Sequence, residues 1–283
     1  MLKTVEVMCP ARVTLFYNNL GFGEDNKPKF KLVNQTINVY DILEIAELKK
    51  EDDRIEINSD SKDIPLNCEN LCYKACQLFF KYTGIKHSQV KIFIDKKIPT
   101  SMGFGGSASD AAGVLIGLNK YYKTNLTERE LLLLAYELGY EVPYFIISGY
   151  ASINDSLKIE KLHNNPYSDY LIIKPNISID KDKILLNLDN TKSNERDISN
   201  QVLHNDFSNY MPDELSRLKR FLDTYPTIRY SLLGNGPSYF VPLKNLSETP
   251  RMIRDLHHEF KGYELFTCKN STGHKTLVKH FTR

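Results

Sequence analysis

Short runs of alternating or continuous apolar residues dominate the first ninety positions, and turn residues separate them. Such runs predict β-strands, because side chains on a strand repeat every two residues. The predicted strands lie at residues 4–8, 13–17, 30–32, 41–46, 54–58 and 90–94. One helix is predicted near residues 67–83, so this part of the chain is mainly β.

The pattern changes after Pro99. A glycine-rich loop comes first, and a second helix is predicted after it because apolar residues recur with the helical period. These residues are Ala111, Leu115, Leu118 and Tyr122. A further helix is predicted near residues 127–139.

The second half of the chain alternates helix and strand patterns. Residues 150–153 and 157–159 predict a hairpin, and a polar stretch over residues 186–202 marks a break. Beyond it the pattern predicts a helix, two strands, a helix and a strand, at residues 213–222, 228–233, 239–242, 250–260 and 264–268. The fold class is therefore predicted to be α+β.

Length and charge narrow the class of function. A chain of 283 residues buries about 75% of its unfolded surface, so it can form a large core without disulfides. The net charge is +2, with 37 basic and 35 acidic side chains and no long basic block. We therefore expect a small-molecule partner, with neither nucleic acid nor membrane as a partner.

The first residues and the cysteines predict a cytoplasmic protein. Charges at Lys3 and Glu6 interrupt the apolar run that a secretory leader needs, and no apolar stretch is long enough to span a membrane. Five cysteines in such a chain predict reduced thiols. Cys68, Cys72 and Cys76 would lie on one face of the first helix, where we expect them to pack into the core rather than bind a metal.

The strongest chemical signal is the glycine-rich loop between a predicted strand and a predicted helix. It contains Gly103, Gly105 and Gly106, which let backbone N–H groups converge on a phosphate without a Cβ in the way. The helix that follows adds its positive N-terminal end. Ser107 and Ser109 can cap this helix or offer hydroxyls to a phosphate or to Mg²⁺. From three glycines alone, an ordinary surface turn is equally compatible.

The loop resembles the ATP loop of the galactokinase, homoserine kinase, mevalonate kinase and phosphomevalonate kinase (GHMP) superfamily. More narrowly, the chain is similar to the 4-diphosphocytidyl-2-C-methyl-D-erythritol kinase family along nearly its whole length. The matching segments occur in the expected order. They are residues 10–15, 37–43, 69–71, 94–99, 99–109, 138–145, 206–209 and 234–238.

This resemblance implies a two-domain fold. An N-terminal domain like domain 2 of ribosomal protein S5 would span residues 1–155, and a ferredoxin-like domain would span 156–283. ATP would lie between them on the loop. Its implied ligands are Pro99, Gly103, Phe104, Gly105, Gly106, Ser107, Ala108 and Ser109, with Mg²⁺ near Ser107 and Ser109.

The resemblance also implies a catalytic pair. The family uses a Lys and an Asp to activate the acceptor hydroxyl, and these positions hold Arg12 and Glu141 here. The charges are kept, but Arg is a planar fork and Glu is one methylene longer. The two changes could compensate each other. Without the resemblance, Arg12 reads as a surface cation and Glu141 as a carboxylate favoured at a helix N-terminus.

The acceptor side departs further from the family. Its base-recognising Tyr and His fall at Lys27 and Pro28, and a second stacking aromatic falls near Leu185. Tyr17, Tyr40 and Phe22 are candidates to replace them. The implied acceptor-binding residues are Thr14, Asp25, Lys27, Gly234, Asn235 and Gly236.

The resemblance implies an ATP- and Mg²⁺-dependent kinase in isoprenoid precursor synthesis, acting as a monomer or a homodimer. Its γ-phosphoryl acceptor would be 4-diphosphocytidyl-2-C-methyl-D-erythritol. Two alternatives stay open: a kinase of this superfamily with another acceptor, and a nucleotide-binding protein with weak or no catalysis.

Overall fold

Two long antiparallel strands form the centre of a computed structural model of this chain. The model describes residues 2–22, 28–47, 55–85, 89–154, 156, 158–179, 196, 203–244 and 247–281. The central strands are β1 (Leu2–Phe22) and β2 (Pro28–Glu47). The main path of the first sheet adds three strands, β3 (Ile55–Ser59), β4 (Val90–Asp95) and β12 (Lys275–Phe281), in the order β12-β1-β2-β4-β3.

β1 corrects the prediction of two separate strands in this region. Residues 4–8 and 13–17 belong to one strand that pairs with β2 throughout, and its register shifts between Pro10 and Ala11 and again between Thr14 and Phe16. Proline is tolerated at such a bulge because it has no N–H to donate to the ladder. The bulges bend β1, and Arg12 and Thr14 lie between them.

Four helices accompany the first sheet: α1 (Leu71–Thr83), α2 (Gly106–Tyr122), α3 (Glu128–Leu138) and α4 (Val142–Ile147). α1 begins after Asn70, whose side chain accepts a hydrogen bond from the Cys72 N–H at 2.8 Å. Cys72 and Cys76 are buried in the core, as expected, whereas Cys68 is exposed and precedes the helix. α4 begins directly after Glu141, as one interpretation of that residue indicated, but six residues are too few to show a helical period and no bounds were predicted.

The second sheet has the order β11-β7-β10-β9. It consists of β7 (Asp169–Lys174), β9 (Ser231–Leu232), β10 (Tyr239–Pro242) and β11 (Glu264–Lys269). α5 (Asp213–Leu222) and α6 (Thr249–Glu259) contribute their buried apolar faces to the same core as this sheet. The predicted strand at 228–233 is confirmed only over its last part, and β7 is an additional strand.

The predicted hairpin is confirmed as β5 (Tyr150–Ile153) and β6 (Ile159–Lys161), which pair antiparallel. Its second strand begins later than predicted, and Leu157 lies outside the described residues. The predicted polar break at 186–202 also lies outside them, except for Arg196.

Short segments connect the two sheets. β8 (His204–Asn205) pairs in parallel with β1 and leads directly into a 3-10 helix, Asp206–Tyr210. β12 follows β11 along the chain but joins the first sheet. No helix in the described part of the chain is long and apolar enough to cross a membrane.

Candidate active site

The glycine-rich loop encloses one side of a cavity of about 150 Å³ at the start of α2. Gly105 precedes the helix in the left-handed region, and no side chain among the described residues caps the first turn. The unpaired N–H groups of a helix start favour an anion. The cavity is lined by Lys96, Pro99, Thr100, Ser101, Gly103, Phe104, Gly105, Gly106, Ser107, Ala108, Glu141 and Asn235.

The glycine-rich loop packs backbone against backbone on a second glycine turn, Gly234-Asn235-Gly236. A Cβ on Gly103 would lie 1.8 Å from the carbonyl oxygen of Leu233, and a Cβ on Gly236 would lie 2.2 Å from the Gly103 nitrogen. Only glycine permits such an approach. Gly234 and Asn235 line the site, whereas Gly236 is absent from the cavity walls and supports the loop from behind.

The two loop serines differ. Ser107 is exposed on the cavity wall, where its hydroxyl can meet a ligand. Ser109 is fully buried and donates a hydrogen bond to the carbonyl of Pro10 at 2.7 Å. The expectation that Ser109 contacts phosphate or Mg²⁺ is therefore corrected, because its hydroxyl anchors α2 to β1.

Phe104 contributes to the loop through its backbone. Its ring is buried and stacks on Phe266 with centroids 6.2 Å apart. Its carbonyl accepts a hydrogen bond from the backbone N–H of Arg12 at 3.0 Å. This bond joins the loop to β1 beside the expected catalytic pair.

Arg12 and Glu141 form an ion pair between Nη2 and Oε1. The Arg12 side chain is 5% exposed and that of Glu141 is 48% exposed. Nη1 of Arg12 also donates to the Thr14 hydroxyl at 2.8 Å and to the Gly103 carbonyl at 3.0 Å. The guanidinium therefore links β1, the phosphate loop and the residue that precedes α4.

Thr14 continues this hydrogen-bonded chain into β2. Its hydroxyl accepts from Arg12 and donates to the side-chain carbonyl of Asn34 at 2.8 Å. Both Thr14 and Asn34 are buried. The sequence indicated Thr14, but nothing in it pointed to Asn34.

A second cavity, of about 450 Å³, lies on the other side of the Arg12–Glu141 pair. Six of its lining residues are aromatic: Tyr17, Phe22, Phe30, Tyr140, Tyr144 and Phe207. Two of the three suggested replacement aromatics, Tyr17 and Phe22, thus lie on its wall. Tyr40 does not, and its hydroxyl is hydrogen-bonded to that of Ser271 at 2.7 Å. The other four aromatics come from three separate parts of the chain, around residues 30, 140–144 and 207, which sequence spacing alone could not bring together.

Three residues implied on the acceptor side, Asp25, Lys27 and Leu185, lie outside the described residues. Of the others, Thr14, Gly234 and Asn235 line the larger cavity. Glu141 and Asn235 line both cavities. A group bound on the phosphate loop and a molecule bound among the aromatics would therefore meet at Glu141.

A buried charged triad lies beneath the phosphate loop, and sequence reasoning missed it. Lys96 Nζ forms an ion pair with Asp41 and lies 2.9 Å from Asp110 Oδ2. Oδ1 of Asp41 accepts from the backbone N–H groups of Lys97 and Ile98 at 2.6 and 2.8 Å. The available signal was a lone Asp in each of two otherwise apolar segments.

Asp41 and Asp110 share one cation, Lys96, and the burial of this cluster perturbs the titration of Asp110 and Lys96. Burial raises the pKa of Asp110 to about 7, and Asp41 reinforces this while Lys96 opposes it. Burial alone would lower the pKa of Lys96, but the two carboxylates raise it above its ordinary value. Lys96 therefore stays charged at the edge of the phosphate cavity.

Three comparisons place this geometry among known proteins. Residues 70–151 match the family model described as GHMP kinases N terminal domain. The chain is 33% identical over 258 residues to 4-diphosphocytidyl-2-C-methyl-D-erythritol kinase of Clostridium tetani, covering 83% of this chain and 90% of that protein. It is 29% identical over 286 residues to the enzyme of the same name from Alkaliphilus metalliredigens, covering 93% and 96%.

The fold is also similar to a solved structure. A crystal structure of 4-(cytidine 5'-diphospho)-2C-methyl-D-erythritol kinase matches with a TM-score of 0.72 at 19% identity, over 94% of this chain and 100% of that one. At this identity the likeness concerns the fold alone.

Proposed function

Because the chain belongs to the 4-diphosphocytidyl-2-C-methyl-D-erythritol kinase family of GHMP kinases, we propose that it transfers the γ-phosphoryl group of ATP to a hydroxyl of 4-diphosphocytidyl-2-C-methyl-D-erythritol. One observation carries this proposal: the Arg12–Glu141 pair stands where the phosphate cavity and the aromatic cavity meet. A phosphoryl donor and an acceptor hydroxyl would face each other there.

ATP would place its triphosphate on the loop at Gly103–Ala108. The uncapped start of α2 supplies N–H groups and a positive dipole end. Lys96 also lines the cavity, but its ammonium is engaged by Asp41 and Asp110. The N–H groups and the helix dipole bind and orient the phosphates, which is most of what an enzyme contributes to phosphoryl transfer.

Glu141 would act as the base. Its carboxylate takes the proton of the acceptor hydroxyl, the hydroxyl oxygen bonds to the γ-phosphorus, and the bond from that phosphorus to the bridging oxygen of ADP breaks. Arg12 stays protonated and stabilises the charge that develops on the transferred group. Its bonds to Thr14 and Gly103 hold it in place for this role.

The donor atoms present fit Mg²⁺, which this family resemblance implies. No group of three or more acidic, His or Cys side chains that could hold a metal is found in the described part of the chain. Mg²⁺ needs no such cage, because it keeps several waters and binds through one or two protein oxygens plus substrate phosphates. Ser107 supplies a hydroxyl on the cavity wall, where it could contact the ion together with the phosphates. When bound, the ion would neutralise phosphate charge.

The aromatic cavity would bind the acceptor. Base stacking on an aromatic side chain contributes about 1–3 kcal/mol, and six aromatic residues line this space. The family's stacking and hydrogen-bonding residues are replaced at Lys27 and Pro28. The aromatic lining supports a planar base as part of the acceptor.

We also propose that the enzyme works in the cytoplasm. All five cysteines lie in the described residues and are free thiols, four of them buried. Free thiols are typical of a reducing compartment. Whether the enzyme is a monomer or a homodimer stays a prediction.

The test is a coupled ADP-release assay with Mg²⁺-ATP and this acceptor, together with ATP binding by calorimetry. We expect turnover above about 1 s⁻¹, and a loss of about 10²–10⁴-fold in Glu141→Gln. The control is Glu128→Gln, which alters an exposed carboxylate on α3. ATP binding without turnover would contradict the proposed acceptor, and full activity in Glu141→Gln would contradict the role of that residue.

A second candidate, a nucleotide-binding protein without transfer, is favoured by one specific observation. Oε1 of the expected base is already engaged by a guanidinium in place of the family's Lys. ATP binding with no ADP release across a panel of polyols and cytidylyl acceptors would support this second function. Release with another acceptor would instead identify a kinase of altered specificity.

A further inference from the structure

Two consecutive buried residues, Asn205 and Asp206, join β8 to the 3-10 helix between the two sheets. Asn205 is 4% exposed and Asp206 is 2% exposed. Asp206 opens the segment 206–209 that is similar to the kinase family. Phe207 of this segment lines the aromatic cavity, but the proposed mechanism gives Asn205 and Asp206 no role. Neither residue lines either cavity.

The Asn205 side chain holds the second glycine turn. Its Nδ2 donates to the carbonyl of Leu232 at 3.0 Å and to that of Gly234 at 2.7 Å. Its Oδ1 accepts from the Phe207 N–H at 3.0 Å. Both amide hydrogens and the carbonyl are therefore used, which fixes the orientation of the side chain.

The Asp206 side chain holds the end of β1. Its Oδ2 accepts from the Asn19 N–H at 2.6 Å and from Asn18 Nδ2 at 3.1 Å. Its Oδ1 accepts from His204 Nε2 at 2.7 Å. Asn19 lines the aromatic cavity, so this carboxylate sets the position of one cavity wall.

The glycine turn that Asn205 holds is in tight contact with the catalytic pair. A Cβ on Gly234 would lie 2.5 Å from Arg12 Nη1 and 2.5 Å from the Gly103 carbonyl. The turn therefore cannot move toward Arg12 without displacing the guanidinium or the phosphate loop. If the turn moved away from Arg12, neither the guanidinium nor the phosphate loop would be supported by it.

We propose that Asn205 and Asp206 are positioning residues for phosphoryl transfer. Asn205 fixes the glycine turn against Arg12, and Asp206 fixes the β1 wall of the acceptor cavity. This inference rests on the proposed function. It assigns a different kinetic effect to each residue, because one controls the reacting pair and the other controls the acceptor site.

Asn205→Asp keeps the shape of the side chain but replaces its two donated hydrogens with an oxygen that repels both carbonyls. A displacement of about 1 Å near a reacting centre can cost on the order of 10²-fold in rate. We expect kcat to fall at least about 10-fold, while the ATP dissociation constant stays within about threefold. Asn205→Ala removes the same bonds without adding a charge and serves if the first variant does not fold.

Asp206→Asn should give the complementary result. Its amide accepts fewer hydrogen bonds and places N–H groups against Asn18, Asn19 or His204. We expect the acceptor KM to rise about 10-fold, with kcat within about threefold.

Asn119→Asp is the matched control. Asn119 lies toward the far end of α2, where Nδ2 donates to the Leu126 carbonyl at 3.0 Å and Oδ1 accepts from the Leu126 N–H at 2.9 Å. Like Asn205→Asp, this variant loses an amide donor, and we expect a similar loss of stability. It does not affect the glycine turn. We expect its kcat and acceptor KM to remain at the level of the unsubstituted protein.

A second measurement separates this inference from the proposed function. Amide hydrogen exchange at residues 231–236 needs no turnover and should accelerate in Asn205→Asp but not in Asn119→Asp. If the unsubstituted protein turns over no acceptor, the proposed function fails, and the positioning of the turn is still judged by exchange. Unchanged exchange in Asn205→Asp, or an equal loss of kcat in Asn119→Asp, would overturn the inference.

Discussion

Arg12 binds three partners that a lysine could not bind in the same way. Its fork reaches Glu141 through Nη2, and Thr14 and the Gly103 carbonyl through Nη1. A lysine ammonium is a single point charge and cannot span these directions at once. Arg12 and Glu141 therefore form a pair with its own geometry. The effect of a substitution at Arg12 should depend on which residue stands at position 141.

A double-mutant cycle tests this coupling. We expect Arg12→Lys and Glu141→Asp each to lower kcat by at least about 10-fold, because each alone leaves a gap or a misplaced charge. The double variant restores the family pair and should lose less than the two single losses combined, with a coupling energy above about 1 kcal/mol. The measurement is kcat for the four proteins, and strictly additive losses would contradict the coupling.

At the residue scale, the sequence predicted which residues lie together at the candidate site better than it predicted where their side chains point. Gly103, Gly105 and Gly106 follow from local backbone needs, so their loop could be predicted. The sequence offered the hydroxyls of Ser109 and Tyr40 as possible ligand contacts. In the folded chain these hydroxyls are hydrogen-bonded to Pro10 and Ser271 instead. Such orientations depend on long-range contacts that no local pattern contains.

At the element scale, the start of α2 combines an anion site with a buried acid. Asp110 lies one turn into the helix, and its Oδ1 has no hydrogen-bond partner among the described residues. Lys96 on the segment after β4 compensates only part of the charge of Asp110 and Asp41. The folded protein therefore favours a protonated Asp110.

This arrangement predicts a pH-dependent stability. Between about pH 4 and pH 7, the folded state keeps a proton on Asp110 that the unfolded state releases, so this group's contribution to stability falls as pH rises. His274 acts in the opposite direction, because burial lowers its pKa to about 4. Its contribution to stability is therefore lost as the pH falls below the ordinary pKa of a histidine. The two slopes partly cancel in the unsubstituted protein.

Asp110→Asn should separate the contribution of Asp110 from that of His274. The free energy of unfolding of the unsubstituted protein, relative to the variant, should decrease from pH 4 to pH 7 by up to about 1.4 kcal/mol per pH unit. Urea unfolding at several pH values measures it. The His274 contribution is common to both proteins and drops out, so a pH-independent difference would contradict the raised pKa of Asp110.

Elements with a strong local period were predicted, and those defined by distant pairing were not. α1 and α3 have clear apolar faces, whereas α2 is buried on most sides and begins earlier than its apolar repeat indicates, at the glycine loop. α4 is a short helix of six residues with Pro143 in its first turn. β12 pairs with a strand at the opposite end of the chain, and no local signal encodes such a partner.

At the scale of the whole molecule, the predicted α+β fold and family membership are confirmed. The proposed boundary at residues 155 and 156 stays a prediction. The chain's last described strand nevertheless returns to the first sheet, where Val278 pairs with Val5 and Leu277 with Glu6. The Ser271 N–H donates to the Thr36 carbonyl at 2.8 Å just before this strand. The N-terminal sheet is therefore completed by the C-terminal segment.

This topology predicts that damage to β12 destabilises the entire protein. Val278 packs against the hydrophobic core between the first sheet and its helices, whereas Leu277, its neighbour on the same strand, is 54% exposed. Val278→Asp should lower the free energy of unfolding by at least about 2 kcal/mol, because it removes apolar burial and places a charge against the core. Leu277→Lys places a charge on the solvent face opposite Glu6 and should not lower it by more than about 0.5 kcal/mol.

Hydrogen exchange shows how far the damage spreads. If β12 ties both sheets into one cooperative unit, Val278→Asp should reduce protection equally in β1 and in β7 of the second sheet, because both then open only by global unfolding. Leu277→Lys should leave the protection of both strands unchanged. Protection lost in β1 and β12 alone would mean that the strand frays by itself, and the two sheets would then unfold as separate units.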